Sequence, residues 1–250
     1  MSFVGRLSNN SSKYFIPAKD LKNGVPKWDY HLHSDLTDGQ DSIASIVKHS
    51  ILLRLERIIF TEHTEPWLTK TQDWFREYSN QVNACQEEYH GKIEILMGLE
   101  VPAIDFIGNF ELSDQMDKEA CFLLGAAHRY PEIEGRRVRD LPKDEAIDLE
   151  FRTLMGLAQN PDIDAIAHIG GTCQKYCGPF PEELSREVIR TATRTGIAIE
   201  INHRYHQPLE RFLKICVEEQ ARITIGSNAH SLPEVGAATL ELKTLLEDGK

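Results

Sequence analysis

A short β-type segment ends in two histidines within the stretch Trp28-Asp29-Tyr30-His31-Leu32-His33. Alternate residues of a strand point to the same side, so both imidazoles can face one ion. Five further apolar segments also stop at an imidazole or a carboxylate. The C-terminal ends of parallel strands converge on one mouth of a barrel, so these side chains are expected to meet. The residues that end these five segments are His63, Glu100, His128, His168 and His230.

Segments of helical periodicity separate the apolar runs. In one of them Ile43, Ile46, Val47 and Ile51 repeat at helical spacing, and Asp41 or Ser42 can cap the start. Strands that alternate with such helices indicate βαβ units and a parallel sheet. The sequence therefore predicts an α/β fold, a distorted parallel barrel of about seven strands. The strands are predicted at residues 27–33, 57–63, 93–101, 121–128, 165–169, 197–202 and 222–227.

Length and composition limit the possible classes. A chain of 250 residues suits one barrel domain, predicted over residues 28–250, after a polar, turn-rich surface extension at 1–27. The net charge of −11 argues against nucleic-acid and anionic membrane partners. Five cysteines without a compact framework favour a reducing compartment. No segment has the length and apolar character of a membrane span or a signal peptide, so a cytoplasmic location is expected.

Converging imidazoles and carboxylates bind divalent metals, so the pattern predicts a polynuclear metal site and a metal-dependent hydrolase. A carboxylate at the position of Glu100 could bridge two cations. Each residue also has a simpler interpretation. Asp38 precedes Gly39 in a common turn pair, Glu100 suits a structural ion pair, and single histidines such as His128 and His168 are often core residues. Their recurrence at the same place on successive strands favours the metal site.

The set of motifs resembles the PHP superfamily, named for polymerase and histidinol phosphatase. The resemblance begins at Trp28, extends over nearly all of the remaining chain, and is closest to the stand-alone histidinol-phosphatase-like branch. It implies a distorted (β/α)7 barrel, two or three Mn, Zn or Fe ions at the strand C-termini, and hydrolysis of phosphoesters. It rests on Asp29-x-His31-x-His33, Asp38-Gly39, Thr61-Glu62-His63, Gly98-x-Glu100, His128, Ala167-His168 and Gly226-Ser227-Asn228-Ala229-His230. The metal ligands that it implies are His31, His33, Asp38, His63, Glu100, His128, His168, Asn228 and His230.

Asn228 departs from the family pattern, which has aspartate at this position. An amide oxygen can ligate a cation, but it is neutral and cannot take a proton. The residues expected to act in catalysis are Glu100, Asn228 and His230. Asn228 is compatible with a weakened enzyme, with adaptation to another reaction, and with an engineered inactive form.

Three cationic or titratable residues are expected near the mouth and are predicted to bind substrate: Arg129, which follows His128, and His203 and Arg204, which follow Asn202. Guanidinium groups suit bidentate phosphate binding, whereas solvated surface side chains are the simpler interpretation. The expected reaction is hydrolysis of a small-molecule phosphate monoester resembling histidinol phosphate. Three alternatives stay open: a nuclease-type phosphodiesterase, hydrolysis of a non-phosphate bond, and an impaired metal-binding or regulatory module, which Asn228 supports. The oligomeric state is open as well.

Overall fold

Seven parallel strands form the centre of the fold, which confirms the predicted α/β barrel. The computed structural model describes residues 13–133 and 135–248. The sheet has the order β1-β8-β7-β6-β5-β4-β3-β2, and only β1 runs antiparallel to its neighbour. The strands are β1 (Ile16–Pro17), β2 (Trp28–Leu32), β3 (Arg57–His63), β4 (Glu94–Pro102), β5 (Phe122–Ala126), β6 (Ala165–Ile166), β7 (Ala198–Ile201) and β8 (Arg222–Ile225).

Among the described residues, the two ends of the parallel sheet are bridged at the C-terminal side of the strands. Leu32 at the end of β2 forms a parallel bridge with Ala229, just after β8. The backbone N–H of His33 donates to Ala229 O at 3.0 Å, and Ala229 N–H donates to His31 O at 3.1 Å. At the other side, β1 pairs with the start of β8. Between β2 and β8 the barrel is therefore closed by this single bridge and the backbone hydrogen bonds beside it.

Helices cover the outside of the barrel. Helix α1 is capped by the Ser42 side chain, which accepts from Ser45 N–H, as expected from the sequence. Helix α6 ends at Gly196, whose φ of 83° lies in the left-handed region that favours glycine. In the described part of the chain, no helix combines the length and apolar character needed to cross a bilayer. The helices are α1 (Ile43–Leu52), α2 (Trp74–Glu88), α3 (Asp114–Glu119), α4 (Lys143–Leu157), α5 (Gly171–Tyr176), α6 (Glu182–Thr195), α7 (Leu209–Glu218) and α8 (Ala237–Asp248).

The N-terminal segment packs into the barrel. Phe15 and Leu21 are 1% and 2% exposed, and Phe15 joins Tyr30 and Phe122 in the apolar cluster inside the strands. The predicted extension is therefore not wholly at the surface, because four of its apolar residues belong to the core whereas residues 22–24 are exposed. Its residues 1–12 lie outside the described part. Polar turn residues dominate the composition of this segment, and they conceal the few apolar side chains, such as Phe15 and Leu21, that are buried.

Replacing Phe15 with alanine is expected to lower the free energy of unfolding by about 3–5 kcal/mol, since it removes a buried ring and leaves a cavity. Denaturant unfolding measures the change. Leu52→Ala is the control, because Leu52 is 79% exposed. Equal stability of both variants would show that the segment contributes little to the barrel.

Candidate metal centre

The residues implied as ligands converge at the C-terminal mouth of the barrel. Each comes from the end of a strand or from the loop that follows it, so strand direction alone brings distant segments together. Three groups have ligand atoms within 4.8 Å of one another, and His63 belongs to two of them. The groups are His33 with Asp38, His63 and His230; His31 with Glu100 and His168; and His63 with Glu65 and His128.

Glu100 lies at the centre of the cluster. Its carboxylate is buried, and burial by itself would raise its pKa. The facing His128, His31 and His63 outweigh burial and hold the pKa of Glu100 well below its usual value. One carboxylate that faces five imidazoles is suited to bridge two cations. Its oxygens lie 3.0 Å from His128 Nε2, 3.0 Å from His168 Nε2, 3.2 Å from His63 Nδ1, 3.3 Å from His31 Nε2 and 3.5 Å from His33 Nε2.

Three histidines have one ring nitrogen held and the other presented to the cluster. Nδ1 of His31 lies 2.6 Å from Glu200 Oε1, and Nδ1 of His128 lies 2.9 Å from Glu65 Oε1. Nδ1 of His230 lies 3.0 Å from the backbone oxygen of Asn228. These oxygens only accept, so each Nδ1 carries the proton and Nε2 is the coordinating atom. Histidines that ligate metals have this arrangement.

Buried polar atoms without a hydrogen-bond partner show whether the cluster is suited to hold cations. Among the described residues, both ring nitrogens of His33, Nε2 of His31, Oε2 of Glu100 and Oδ1 of Asn228 are buried without a hydrogen-bond partner. Buried polar atoms normally have a hydrogen-bond partner. Several buried atoms without one in a single cluster indicate that a further group, such as a bound cation, interacts with them. Burial and the neighbouring His63 and His230 keep the pKa of His33 well below its usual value. A neutral imidazole is the form that binds metal, so these donors fit divalent ions.

Two neighbouring carboxylates favour the protonated form of the His31 imidazole. Burial lowers the pKa of His31, but the carboxylates of Glu200 and Glu100 outweigh it and raise the pKa to about 10. A cation at Nε2 must therefore displace a proton. We expect metal affinity to increase with pH for this reason.

Glu65 belongs to the cluster, although the sequence interpretation passed over it. It is 4% exposed, and its oxygens lie 3.4 Å from His63 Nδ1 and 2.9 Å from His128 Nδ1. The alternation that singled out His31 and His33 is repeated in His63-Thr64-Glu65. This repeat is the sequence pattern from which Glu65 could have been predicted to face the cluster.

Loops are tied to the barrel by buried carboxylates. Glu62 accepts from Ser34 N–H at 2.8 Å and from the Thr37 hydroxyl, which fixes the loop that carries Asp38. The oxygens of Asp38 lie 3.5 Å from His63 Nε2 and 3.3 Å from His230 Nε2. Asp38 therefore takes part in the cluster as well as in a turn.

Glu200 holds two of the implied ligands, His31 and His168. Besides its contact with His31, its Oε2 accepts from the backbone N–H of His168 at 2.6 Å. Gly226 makes room for this carboxylate, because a Cβ at position 226 would lie 2.2 Å from Glu200 Oε1. A side chain at this glycine would displace Glu200 and, through it, His31.

A cavity of about 300 Å³, here termed the mouth cavity, opens above the cluster. Arg129 lines it, and its guanidinium lies 3.8 Å from the Trp67 ring centroid. The residues that line this cavity include Asp38, His63, Glu65, Trp67, His128, Arg129, His168, Lys175, Tyr176, Tyr205, Asn228 and His230. Lys175 and Tyr205 were not singled out in the sequence, because they come from helix α5 and from a loop without a motif.

The structure does not bring Arg204 or His203 into the lining of the mouth cavity. Arg204 is paired with Glu234, a carboxylate that also accepts from His230 N–H at 2.8 Å. A short-range pattern could place Arg204 near the mouth but could not show this partner. Of the two arginines, Arg129 is therefore the stronger candidate for binding substrate.

Comparison with known proteins agrees with this geometry. A family model described as the PHP domain matches residues 29–204. The chain belongs to the PHP domain family. A histidinol-phosphatase of Lactococcus lactis is 26% identical over 250 residues, which cover 89% of this chain and 91% of the relative. A probable phosphatase of a Thermoanaerobacter species is 25% identical, over 88% of this chain and 86% of the relative. These matches confirm the predicted family and the class of enzyme, a metal-dependent phosphatase.

Two solved structures have the same fold as this chain. The histidinol phosphate phosphatase of L. lactis, solved with zinc, L-histidinol and phosphate, superimposes with a TM-score of 0.71 and 22% identity. The superposition covers 90% of this chain and 94% of that chain. A putative histidinol phosphatase from Listeria monocytogenes gives a TM-score of 0.70 at 16% identity, over 86% of this chain and 99% of that one.

Asn228 occupies an unusual backbone position. Its φ of 52° lies in the left-handed region, which asparagine and aspartate tolerate better than other non-glycine residues. The preceding Ser227 donates its backbone N–H to Asp29 at 2.9 Å, and this contact fixes the loop after β8. Backbone geometry at this position is therefore compatible with an aspartate.

Proposed function

We propose that this PHP enzyme hydrolyses a small-molecule phosphate monoester with the help of two or three divalent ions (Mn, Zn or Fe). The observation that carries the proposal is the position of Glu100 among five imidazoles, directly below a cavity that Arg129 and Lys175 line. Anionic ligands suit such a cavity, because its cluster would hold cations and its rim carries two positive side chains. The L. lactis relative, solved with L-histidinol and phosphate, makes histidinol phosphate the first compound to test.

The ions would be held by the three groups described above, and Asn228 would contribute an amide oxygen. When bound, such ions supply positive charge that polarises the phosphoryl group and activates a nucleophilic water. Glu200 and Glu65 keep His31 and His128 in the tautomer that presents Nε2. Hydrogen bonds of this kind typically change metal affinity or activity by about 10–100-fold when they are removed.

Arg129 and Lys175 would bind the phosphate oxygens from the rim. The planar guanidinium of Arg129 can donate two parallel N–H bonds, and Trp67 limits its freedom by stacking. His230 is proposed to act at the same rim. Its side chain is 27% exposed and its Nε2 faces Asp38. Glu100, Asn228 and His230 thus remain the proposed catalytic residues.

Release of inorganic phosphate from a panel of monoesters tests the function. The purified chain is assayed after reconstitution with each metal and after chelation, and single-stranded DNA and a phosphodiester are included. We expect metal-dependent release from at least one monoester. Turnover of only the DNA or the diester would favour the phosphodiesterase alternative, and metal binding without any turnover would favour the regulatory module.

Arg129→Ala is expected to lower kcat/KM about 10- to 100-fold, since a charge-assisted contact contributes roughly 1.5–3 kcal/mol. Arg204→Ala should have a smaller effect, because Arg204 is already paired with Glu234. Steady-state kinetics with the best ester separate the two. Equal losses in both variants would mean that the rim is arranged differently from this proposal.

A further inference from the structure

A second cavity adjoins the mouth cavity. It has a volume of about 600 Å³ and shares His128, Arg129 and Tyr176 with the mouth cavity. The shared residues make the two cavities neighbours along one wall. A ligand whose phosphate lies over the metal cluster can therefore extend its remaining atoms toward the second cavity.

The second cavity is strongly cationic. Arg136, Arg137 and Arg139 line it together with Arg129, and Glu132 is the only carboxylate among the lining residues described. Over residues 129–139 the sequence has four arginines against two glutamates, within a chain of net charge −11. Nη1 of Arg136 lies 2.7 Å from Oε1 of Glu145, and this ion pair offsets part of the positive charge of the cavity. An excess of positive charge at this place contrasts with the acidic chain as a whole and favours anions.

We infer that the second cavity is a subsite for a second anionic group of the substrate, a carboxylate or another phosphate. Arg137 and Arg139 would bind this distal group, while Arg129 lies between the two cavities. This inference deepens the proposed function and rests on it. It also predicts that esters with a distal amine, the chemistry of histidinol phosphate, bind less well, because a distal ammonium group would meet like charges.

Binding of inert phosphonates tests the subsite without turnover, since the C–P bond is not hydrolysed. Calorimetric titration of the metal-loaded protein compares hexylphosphonate with analogues that end in a carboxylate, a second phosphonate or an amine. The acidic tails should bind about tenfold tighter than the neutral chain, and the amine more weakly. The carboxylate and bisphosphonate arms show which anion the subsite prefers.

The variant Arg137→Gln/Arg139→Gln should reduce the preference for acidic tails to about twofold or less. Its matched control, Arg194→Gln/Lys214→Gln, removes two exposed cationic side chains on α6 and α7 and should retain the preference. Equal dissociation constants for neutral and acidic tails in the parent would overturn the inference. A preference for acidic tails that is retained in the Arg137→Gln/Arg139→Gln variant would also overturn the inference.

The same chains supplied as phosphate esters separate this inference from the proposed function. Tight, arginine-dependent binding of acidic phosphonates without hydrolysis of any ester would keep the subsite and reject the phosphatase proposal. Hydrolysis of neutral, acidic and amine-tailed esters at equal kcat/KM, with equal phosphonate affinities, would keep the phosphatase and reject the subsite.

Discussion

Glu100→Gln is expected to release at least one metal ion per chain and to lower kcat by about 10³-fold or more. The reason is that one buried carboxylate faces five imidazoles, and a neutral amide removes its charge from all of them. Metal charge in the transition state contributes several kcal/mol, and about 4 kcal/mol corresponds to roughly 10³ in rate. Elemental analysis and steady-state kinetics measure the two effects.

Two further variants test whether the expected effect is specific to Glu100. Glu56→Gln removes an exposed carboxylate that is paired with Lys27, and it should change neither metal content nor kcat. Glu65→Gln should have an intermediate effect, on the scale of about 10–100-fold in metal affinity, because it orients His128 and lies beside His63. A Glu100 variant with the metal content and kcat of the parent would refute the central position of this carboxylate.

Asn228→Asp is expected to tighten binding of one ion and to raise kcat by about 10²–10⁴-fold, the range for positioned acid–base groups. An aspartate adds a negative charge to the cation cluster and can accept a proton, whereas the amide can do neither. Its backbone, at a φ of 52°, already suits an aspartate, and the nearly isosteric change should leave the fold intact.

The kcat values of Asn228→Asp and of the parent are compared at equal metal loading, with the best monoester as the substrate. Asn80→Asp on the exposed side of α2 serves as the control for added charge. An unchanged or lower kcat would mean that the asparagine is an adaptation of this enzyme. Strong metal binding with no turnover in either protein would instead support the regulatory module.

Local pattern was sufficient for the order of the seven parallel strands, but it did not predict β1. The predicted strand at residues 57–63 coincides with β3, and the predicted 165–169 differs from β6 only in its C-terminal end. Buried parallel strands are short apolar runs, and a polar ligand must follow each run at the mouth, so both signals lie within a few residues. For the same reason His31, His63 and Glu100 could be predicted to meet.

Contacts between distant segments were decided only by the tertiary structure. Composition concealed the burial of Phe15, and the role of Glu65 depends on His128, 63 residues further along the chain. Arg204 pairs with Glu234, and the second cavity gathers Arg137 and Arg139 beside Arg129. The contacts of Glu65 and Arg204 pair side chains that are far apart in sequence, whereas the arginines of the second cavity lie within residues 129–139. Periodicity reports which face of a strand or helix is buried, but the partner across the interface is set by how the whole chain packs.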